Sequence, residues 1–136
     1  MKILNHTFLK TFTVLAFLLL VSCSNDDNPY NENDPILGTW KLIGWGAEGD
    51  YVSEFNSCKN VILTFNLNGT GTLSVQGCDY EDHTESLIWK LDGVEDTYKI
   101  KRESDTEPAI LIATFPENKL TLTPKGKAYS EIYAKQ

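Results

Sequence analysis

The stretch NVILTFNLNGTGTLSVQ, which spans Asn60–Gln76, decides the fold of this chain. On both sides of Asn68-Gly69, apolar side chains recur at every second position. Successive side chains of a strand point to opposite faces, so each half of the stretch has one apolar face. Asn-Gly between two such halves is a strong signal for a tight hairpin turn. The stretch therefore predicts an antiparallel pair of strands in which Leu63 lies opposite Leu73.

The same pattern continues through the rest of the chain from Ile36 onward. Short runs rich in β-branched and aromatic residues alternate with turn residues, and no long stretch keeps a helical period. Eight such runs predict an all-β domain, an eight-stranded antiparallel up-and-down barrel without free edge strands. An open sandwich with fewer strands is the alternative. The predicted strands are Leu37–Trp45, Asn60–Asn66, Thr70–Gln76, Ser86–Leu91, Thr97–Arg102, Ala109–Phe115, Lys119–Thr123 and Ala128–Ala134, the last of which could end in a short helix.

Composition restricts the functions that this fold can serve. The chain has 136 residues, which is enough for one domain, and 41% of them are hydrophobic, which excludes wholesale disorder. Lys and Arg number 12 against 19 Asp and Glu, so the formal charge is −7. Nucleic acid as a partner is excluded, because binding it requires clustered basic side chains on one face.

The N-terminal segment, residues 1–22, has the pattern of an export signal. Lys2 and Lys10 give it a positive start, and Thr11–Val21 is apolar but too short to cross a bilayer comfortably. A buried core helix or an uncleaved anchor is the alternative. Removal of these 22 residues from 136 leaves 114, and the loss of two lysines and no acid takes the charge from −7 to −9.

The four residues Leu20-Val21-Ser22-Cys23 resemble a bacterial lipobox. The resemblance implies cleavage before Cys23 and a lipid-anchored lipoprotein, whose diacylglyceryl group and palmitate-type acyl chain hold it to the bacterial outer membrane. Residues 23–35 are polar and acidic and predict a flexible tether. Asp26-Asp27 is similar to the surface-export signal of Bacteroidota lipoproteins, but a plain solvated linker explains it equally. The periplasmic and the cell-surface side therefore both stay open.

Gly38-Thr39-Trp40 resembles the Gly-x-Trp motif of lipocalins. Together with Ile36–Leu42, Cys58 and Leu63–Thr70, it makes the chain similar to lipocalin-like lipoproteins of Bacteroidota. In lipocalins the motif tryptophan closes the barrel floor and usually meets an arginine of the final strand. This chain departs from that pattern, because its only arginine is Arg102.

The resemblance implies that residues 36–136 form a lipocalin-like barrel that binds a small hydrophobic ligand. A barrel of eight strands has room for one such ligand or for its own side chains. The same inward-facing residues would line a ligand cavity or fill the barrel core. The candidate ligand-binding residues are Trp40, Leu63, Phe65, Leu73, Val75, Leu87, Trp89, Tyr98 and Ile100.

Cys58 and Cys78 remain once Cys23 carries the lipid. If Leu63 faces Leu73, facing positions of this hairpin have residue numbers that add up to 136, and so do 58 and 78. Cβ atoms at such positions lie about 4.5–5.5 Å apart, close to what a disulfide requires, and exported proteins fold under oxidising conditions. A disulfide is expected, with two free thiols as the alternative. Zinc is not expected, because structural sites use four ligands.

Acidic residues gather at one end of the predicted barrel. In an up-and-down barrel, the loops that follow strands 1, 3 and 5 lie at the same end. We interpret this end as the open, functional mouth, while a solvated rim that maintains solubility is the alternative. Calcium among Asp79, Glu81 and Asp82 is conceivable but lacks EF-hand spacing. The acidic residues in the three loops are Glu48, Asp50, Glu54, Asp79, Glu81, Asp82, Glu85, Glu103, Asp105 and Glu107.

No pattern points to catalysis. His83, the only histidine outside the export signal, falls in a predicted polar loop, and no nucleophile or phosphate-binding loop accompanies it. We therefore expect a monomeric, non-catalytic protein without metal or cofactor. The alternative function is a protein-interaction or structural module of the envelope, acting through the acidic loops or the outer faces of strands 6 and 8. Its candidate exposed apolar residues are Trp45, Leu111, Phe115 and Ile132.

Overall fold

The computed structural model describes residues 30–47, 60–79, 81–94 and 96–136. Eight strands form a closed barrel in which every strand pairs antiparallel with the next and the last pairs with the first. The predicted eight-stranded antiparallel up-and-down barrel is therefore confirmed. The strands are β1 (Gly38–Ala47), β2 (Asn60–Phe65), β3 (Thr70–Gln76), β4 (His83–Leu91), β5 (Thr97–Arg102), β6 (Ala109–Thr114), β7 (Lys119–Pro124) and β8 (Tyr129–Lys135), and a 3₁₀ turn lies at Pro116–Asn118.

Several predicted features lie outside the described residues. They are the export signal, Cys23 and most of the tether, Cys58, and the acidic residues of the loop between β1 and β2. Within the described part of the chain, no helix is long and apolar enough to span a membrane.

The hairpin that decides the fold has the predicted register. Leu63 pairs with Leu73, and Val61 pairs with Val75. The predicted bounds of β3 and β5 are also exact, and β8 stays extended without a terminal helix. The largest difference is in β4, which begins at His83, three residues before the predicted start, because polar residues occupy its inward face there.

An N-terminal segment, residues 30–37, packs across one end of the barrel. Ile36 is completely buried, and its carbonyl oxygen accepts a hydrogen bond of 2.7 Å from the indole N–H of Trp40. Asp34 accepts a hydrogen bond of 2.7 Å from the hydroxyl of Tyr98, and the ring of Tyr30 lies 5.0 Å from that of Trp89. We call this the closed end. The loops after β2, β4 and β6 lie at this end, and those after β3, β5 and β7 lie at the opposite end.

Gly71 is required by close packing between neighbouring strands. It is buried on β3 between Phe65 of β2 and Leu87 of β4. A Cβ atom at this position would overlap the carbonyl oxygen of Thr64 and lie 2.8 Å from a methyl group of Leu87.

Gly71→Ala is therefore expected to lower the free energy of unfolding by about 3 kcal/mol, because a backbone oxygen cannot move aside. Gly126→Ala is the matched control. Gly126 has a φ of +78° but open space around it, so only backbone strain of about 1 kcal/mol is expected. Urea unfolding of both variants measures the difference. Equal losses would contradict the packing argument.

Candidate functional site

The open end of the barrel contains a cavity of about 450 Å³. Its deeper walls are aliphatic and come from most of the strands. The two ends of the barrel interior thus differ, since the closed end is filled by side chains and the open end is not. Among the apolar residues that line the cavity are Leu42, Val61, Leu63, Leu73, Val75, Leu87, Ile100, Leu111, Leu122 and Tyr133.

The nine candidate ligand-binding residues divide between these two ends. Leu63, Leu73, Val75, Leu87 and Ile100 line the cavity. The other four, Trp40, Phe65, Trp89 and Tyr98, are each only 2% exposed and belong to the core of the closed end. Strand alternation correctly places all nine on the inside, but it carries no information on how deep the N-terminal segment reaches.

Charged side chains surround the mouth of the cavity. The guanidinium of Arg102 donates two hydrogen bonds to the carboxylate of Asp105, at 3.0 and 2.8 Å. Hydrogen bonding to Arg102 lowers the pKa of Asp105 below its usual range, and the same bond raises the pKa of Arg102. This pair is therefore ionised at any physiological pH, and the positive charge of Arg102 is largely neutralised by its partner.

Two further carboxylates face the mouth with fixed hydrogen bonds. Glu85 accepts a hydrogen bond of 2.6 Å from the hydroxyl of Ser104 and lies 3.9 Å from the guanidinium of Arg102. Glu131 accepts a hydrogen bond of 2.7 Å from the hydroxyl of Tyr133. Burial, followed by the charge of Glu131, raises the pKa of Tyr133 well above its usual value, so Tyr133 is a neutral donor.

The described part of the mouth is electronegative. Four carboxylates line it, those of Glu85, Asp105, Glu107 and Glu131, against the guanidinium of Arg102, so these five side chains have a formal charge of −3. The sequence placed three of these acids, and Arg102, at this end of the barrel but missed Glu131. The signal for Glu131 was present, because it alternates with Tyr133 on β8.

Other candidate residues have different positions from those expected. His83 is not in a loop, since it begins β4 and lines the mouth. Asp82 accepts a hydrogen bond of 2.6 Å from the backbone N–H of Gly77. Among the described residues, no group of three or more His, Cys, Asp or Glu side chains could hold a metal ion. The structure therefore gives no support to the calcium hypothesis.

The residues proposed as an exposed apolar surface are not exposed. Leu111 lines the cavity, and Phe115 packs against the core with its ring centroid 6.3 Å from that of Trp40. Trp45 and Ile132 are half-buried. For Leu111 and Phe115 the interpretation was wrong because inward and outward positions of the predicted strand 6 are both apolar, so alternation could not assign its faces. Described large apolar residues that are exposed include Ile43, Leu67, Ile88, Leu91, Val94, Ile112 and Tyr129.

Two crystal structures are similar to this barrel. One is that of a DUF4847 family protein from Bacteroides vulgatus, with 20% sequence identity, a TM-score of 0.53, and coverage of 77% of this chain and 98% of that chain. The other is that of an uncharacterised protein from Bacteroides eggerthii, with 12% identity, a TM-score of 0.56, and coverage of 74% and 98% respectively. No protein-family model and no curated protein matches the sequence. At these identities the likeness shows the barrel fold alone.

The ion pair at the mouth makes stability depend on pH at the acidic side. The pKa of Asp105 is lowered in the folded protein, so its contribution is complete above the unfolded value of about 3.9 and is lost as the pH falls through the lower folded value. We expect Asp105→Asn to cost about 0.5–1 kcal/mol at pH 7 and less as the pH falls below about 4.

Urea unfolding at pH 7 and pH 3 measures this loss. Glu117→Gln is the control, because its ion pair with Lys119, at 3.6 Å, is strongly exposed. A loss for Asp105→Asn that stayed the same at both pH values would show that the carboxylate charge is not the cause.

Proposed function

We propose that the mature protein is a non-catalytic, lipid-anchored lipoprotein of the bacterial outer membrane whose barrel binds one small hydrophobic ligand. The observation that carries the proposal is the cavity of about 450 Å³ at the open end of the barrel. Ligand sites in proteins are typically clefts of roughly 300–1,000 Å³ with mostly apolar walls and a few polar groups. This cavity has that volume and that chemistry.

The contrast between the two ends supports a ligand site rather than ordinary packing. At the closed end, Trp40, Phe65 and Trp89 fill the interior and are almost completely buried. At the open end, Leu73 and Leu111 are only half-buried although both point inward. When a ligand covers apolar surface that is accessible inside a barrel, the complex gains about 25 cal/mol of free energy per Å² removed from water.

The charge of the mouth favours one class of ligand head group. Asp105 neutralises Arg102, so among the described lining residues a ligand carboxylate would meet Glu85, Glu107 and Glu131 with no uncompensated lysine or arginine to balance them. Like charges at close range repel, whereas an ammonium or hydroxyl group can donate hydrogen bonds to these carboxylates. The ligand is therefore an amphiphile with an apolar body and a cationic or neutral donor head.

The chain geometry fits an anchor at Cys23. The described chain begins at Tyr30, which packs at the closed end, so a tether from Cys23 arrives opposite the mouth. Lipid attachment would thus leave the cavity accessible. The same arrangement serves a protein on the periplasmic or on the cell-surface side of the outer membrane.

A disulfide between Cys58 and Cys78 belongs to the same proposal. The register of β2 and β3 follows the predicted rule, with Asn60 opposite Gln76 at the last pair. If the same register continued beyond the described residues, position 58 would lie opposite position 78, and Cys78 is not a free side chain. A bridge here would stabilise the start of the loop that borders the mouth by about 3 kcal/mol in the chain-entropy model.

Filling the cavity should abolish ligand binding. Leu73→Trp places a large ring into the cavity, while the control Thr72→Trp places the same ring on the exposed outer face of β3. With the mature chain from Ser24, titration with the neutral fluorophore N-phenyl-1-naphthylamine should give saturable binding. We expect Leu73→Trp to weaken it at least about tenfold and Thr72→Trp to leave it unchanged. Equal affinities for both variants would place the fluorophore outside the cavity.

Competition in the same assay tests the head-group class. Dodecylamine and dodecanol should displace the fluorophore at concentrations at least about tenfold lower than dodecanoate. Glu107→Gln should reduce the difference between the displacing concentrations of dodecylamine and dodecanoate. Glu103→Gln should leave this difference unchanged, because Glu103 is exposed and does not line the cavity. Tighter binding of dodecanoate would contradict the assignment.

Mass spectrometry of protein purified from membranes tests the anchor and the disulfide together. We expect an N-terminal Cys23 that carries a diacylglyceryl group, and two cysteines that react with an alkylating reagent only after reduction. Cys23→Ala should remove the lipid mass. An unmodified Cys23, or free thiols at Cys58 and Cys78 in the unreduced protein, would contradict the corresponding part of the proposal.

A further inference from the structure

A second concave site lies on the outer surface of the barrel, beside β4 and β5 and close to the closed end. It is a groove with a volume of about 530 Å³. Its charged lining residues are lysines, and no carboxylate is among the described residues that line it. This composition stands out in a chain with 19 acidic and 12 basic residues. The residues that carry the argument are Tyr30, Ile88, Trp89, Lys90, Lys99 and Lys101.

The strand register forces three lysines together. Lys90 of β4 lies directly opposite Lys99 of β5, and Lys101 follows on the same face of β5, opposite Ile88. Like charges at directly opposed positions of an antiparallel pair are destabilising, so this arrangement works against the stability of the sheet. It becomes favourable when an anion lies between the ammonium groups.

Among the described residues, only one of the three lysines forms an ion pair. Lys99 forms an ion pair with Asp92 at the end of β4. The ion pairs of the described chain include neither Lys90 nor Lys101. Asp96, in the loop after β4, is exposed and does not line the groove. Two ammonium groups are therefore available to an anionic ligand.

The groove also has an apolar component. Ile88 is 60% exposed beside Lys90 and Lys101. The half-buried ring of Tyr30, which packs on the buried ring of Trp89 at a centroid distance of 5.0 Å, forms one wall. A simple inorganic anion would use the lysines but leave this surface uncovered.

We propose that the groove binds the head group of an anionic phospholipid of the membrane to which the protein is attached. The phosphate would lie between Lys90 and Lys101, and Ile88 with the ring of Tyr30 would contact the glycerol and upper acyl region. Charge complementarity and the apolar wall identify a phospholipid rather than a free phosphate.

The position of the groove brings it to the bilayer. Tyr30 lines the groove and lies seven residues after Cys23, a reach of at most about 25 Å for an extended chain. This step rests on the proposed lipid anchor, but it does not depend on ligand binding in the barrel cavity. Contact between the groove and the bilayer would hold the closed end against the membrane and direct the mouth away from it.

The test uses the lipidated full mature chain in dodecyl maltoside micelles, to which dihexanoyl phosphatidylglycerol or dihexanoyl phosphatidylcholine is added. Chemical shifts of backbone amides report the site of binding. We expect phosphatidylglycerol, but not phosphatidylcholine, to move the signals of Tyr30, Ile88 and Lys101. The double variant Lys90→Gln/Lys101→Gln should weaken this binding at least about tenfold.

The matched control is Lys125→Gln/Lys127→Gln, which removes the same charge from the loop after β7 at the opposite end. It should bind phosphatidylglycerol as the unmodified chain does. Equal weakening in both double variants would show that net charge alone attracts the lipid, and this would overturn the proposal. Equal shifts with inorganic phosphate would also overturn it, because the apolar wall would then contribute nothing.

Failure of this proposal and failure of the proposed function give different results. The lysine variants leave the barrel cavity unchanged, so displacement of the fluorophore by dodecylamine should be normal in them. A protein without the lipid at Cys23 would be identified by its mass before any lipid titration.

Discussion

The rest of the structure depends on the closure of the sheet through β1. This strand pairs with β2 on one side and with β8 on the other, so Trp40 lies between Leu63 and Lys135. The ammonium group of Lys135 is placed over the indole ring of Trp40, 5.0 Å from its centroid, where a cation–π interaction stabilises the junction. The last strand thus supplies a cation at this tryptophan, although it has no arginine.

The same junction also explains why the closed end of the interior is filled and the open end contains a cavity. Trp40 is fixed near the closed end by its hydrogen bond to Ile36, and the aromatic side chains of β2, β4 and β5 pack around it. The inward residues of the opposite half are mostly aliphatic or charged, apart from His83 of β4 and the tyrosines of β8. The cavity therefore follows from the order of side-chain types along each strand, and the N-terminal segment decides which end is blocked.

The sequence was sufficient for those features that depend on local pattern. The register of the central hairpin follows from the alternation around Asn68-Gly69, and it was correct for every pair. Pattern failed where polar residues point inward, as at the start of β4, because His83 and Glu85 line a solvent-accessible mouth. It also failed on β6, where both faces are apolar, and the inward direction of Leu111 depends on pairing with β5 and β7.

The candidate site was predictable only in part, because local pattern does not show which inward residues border empty space. Alternation identified inward residues but could not separate Leu73, which borders empty space, from Trp89, which does not. The pairing of Arg102 with Asp105 depends on the path of the loop after β5, which brings residues three positions apart into bidentate contact. The charge excess at one end, in contrast, required only the topology and the order of the loops.

The packing of Tyr30 over Gly69 has a mechanical consequence. The ring lies so close to this glycine that a Cβ atom at Gly69 would overlap it. Four residues after Tyr30, Asp34 accepts a hydrogen bond from the hydroxyl of Tyr98. A pulling force on the chain before Tyr30 is therefore resisted first by these contacts, at the floor of the barrel. The strands that form the cavity walls lie beyond these contacts, so the force reaches them only after the contacts at the closed end have broken.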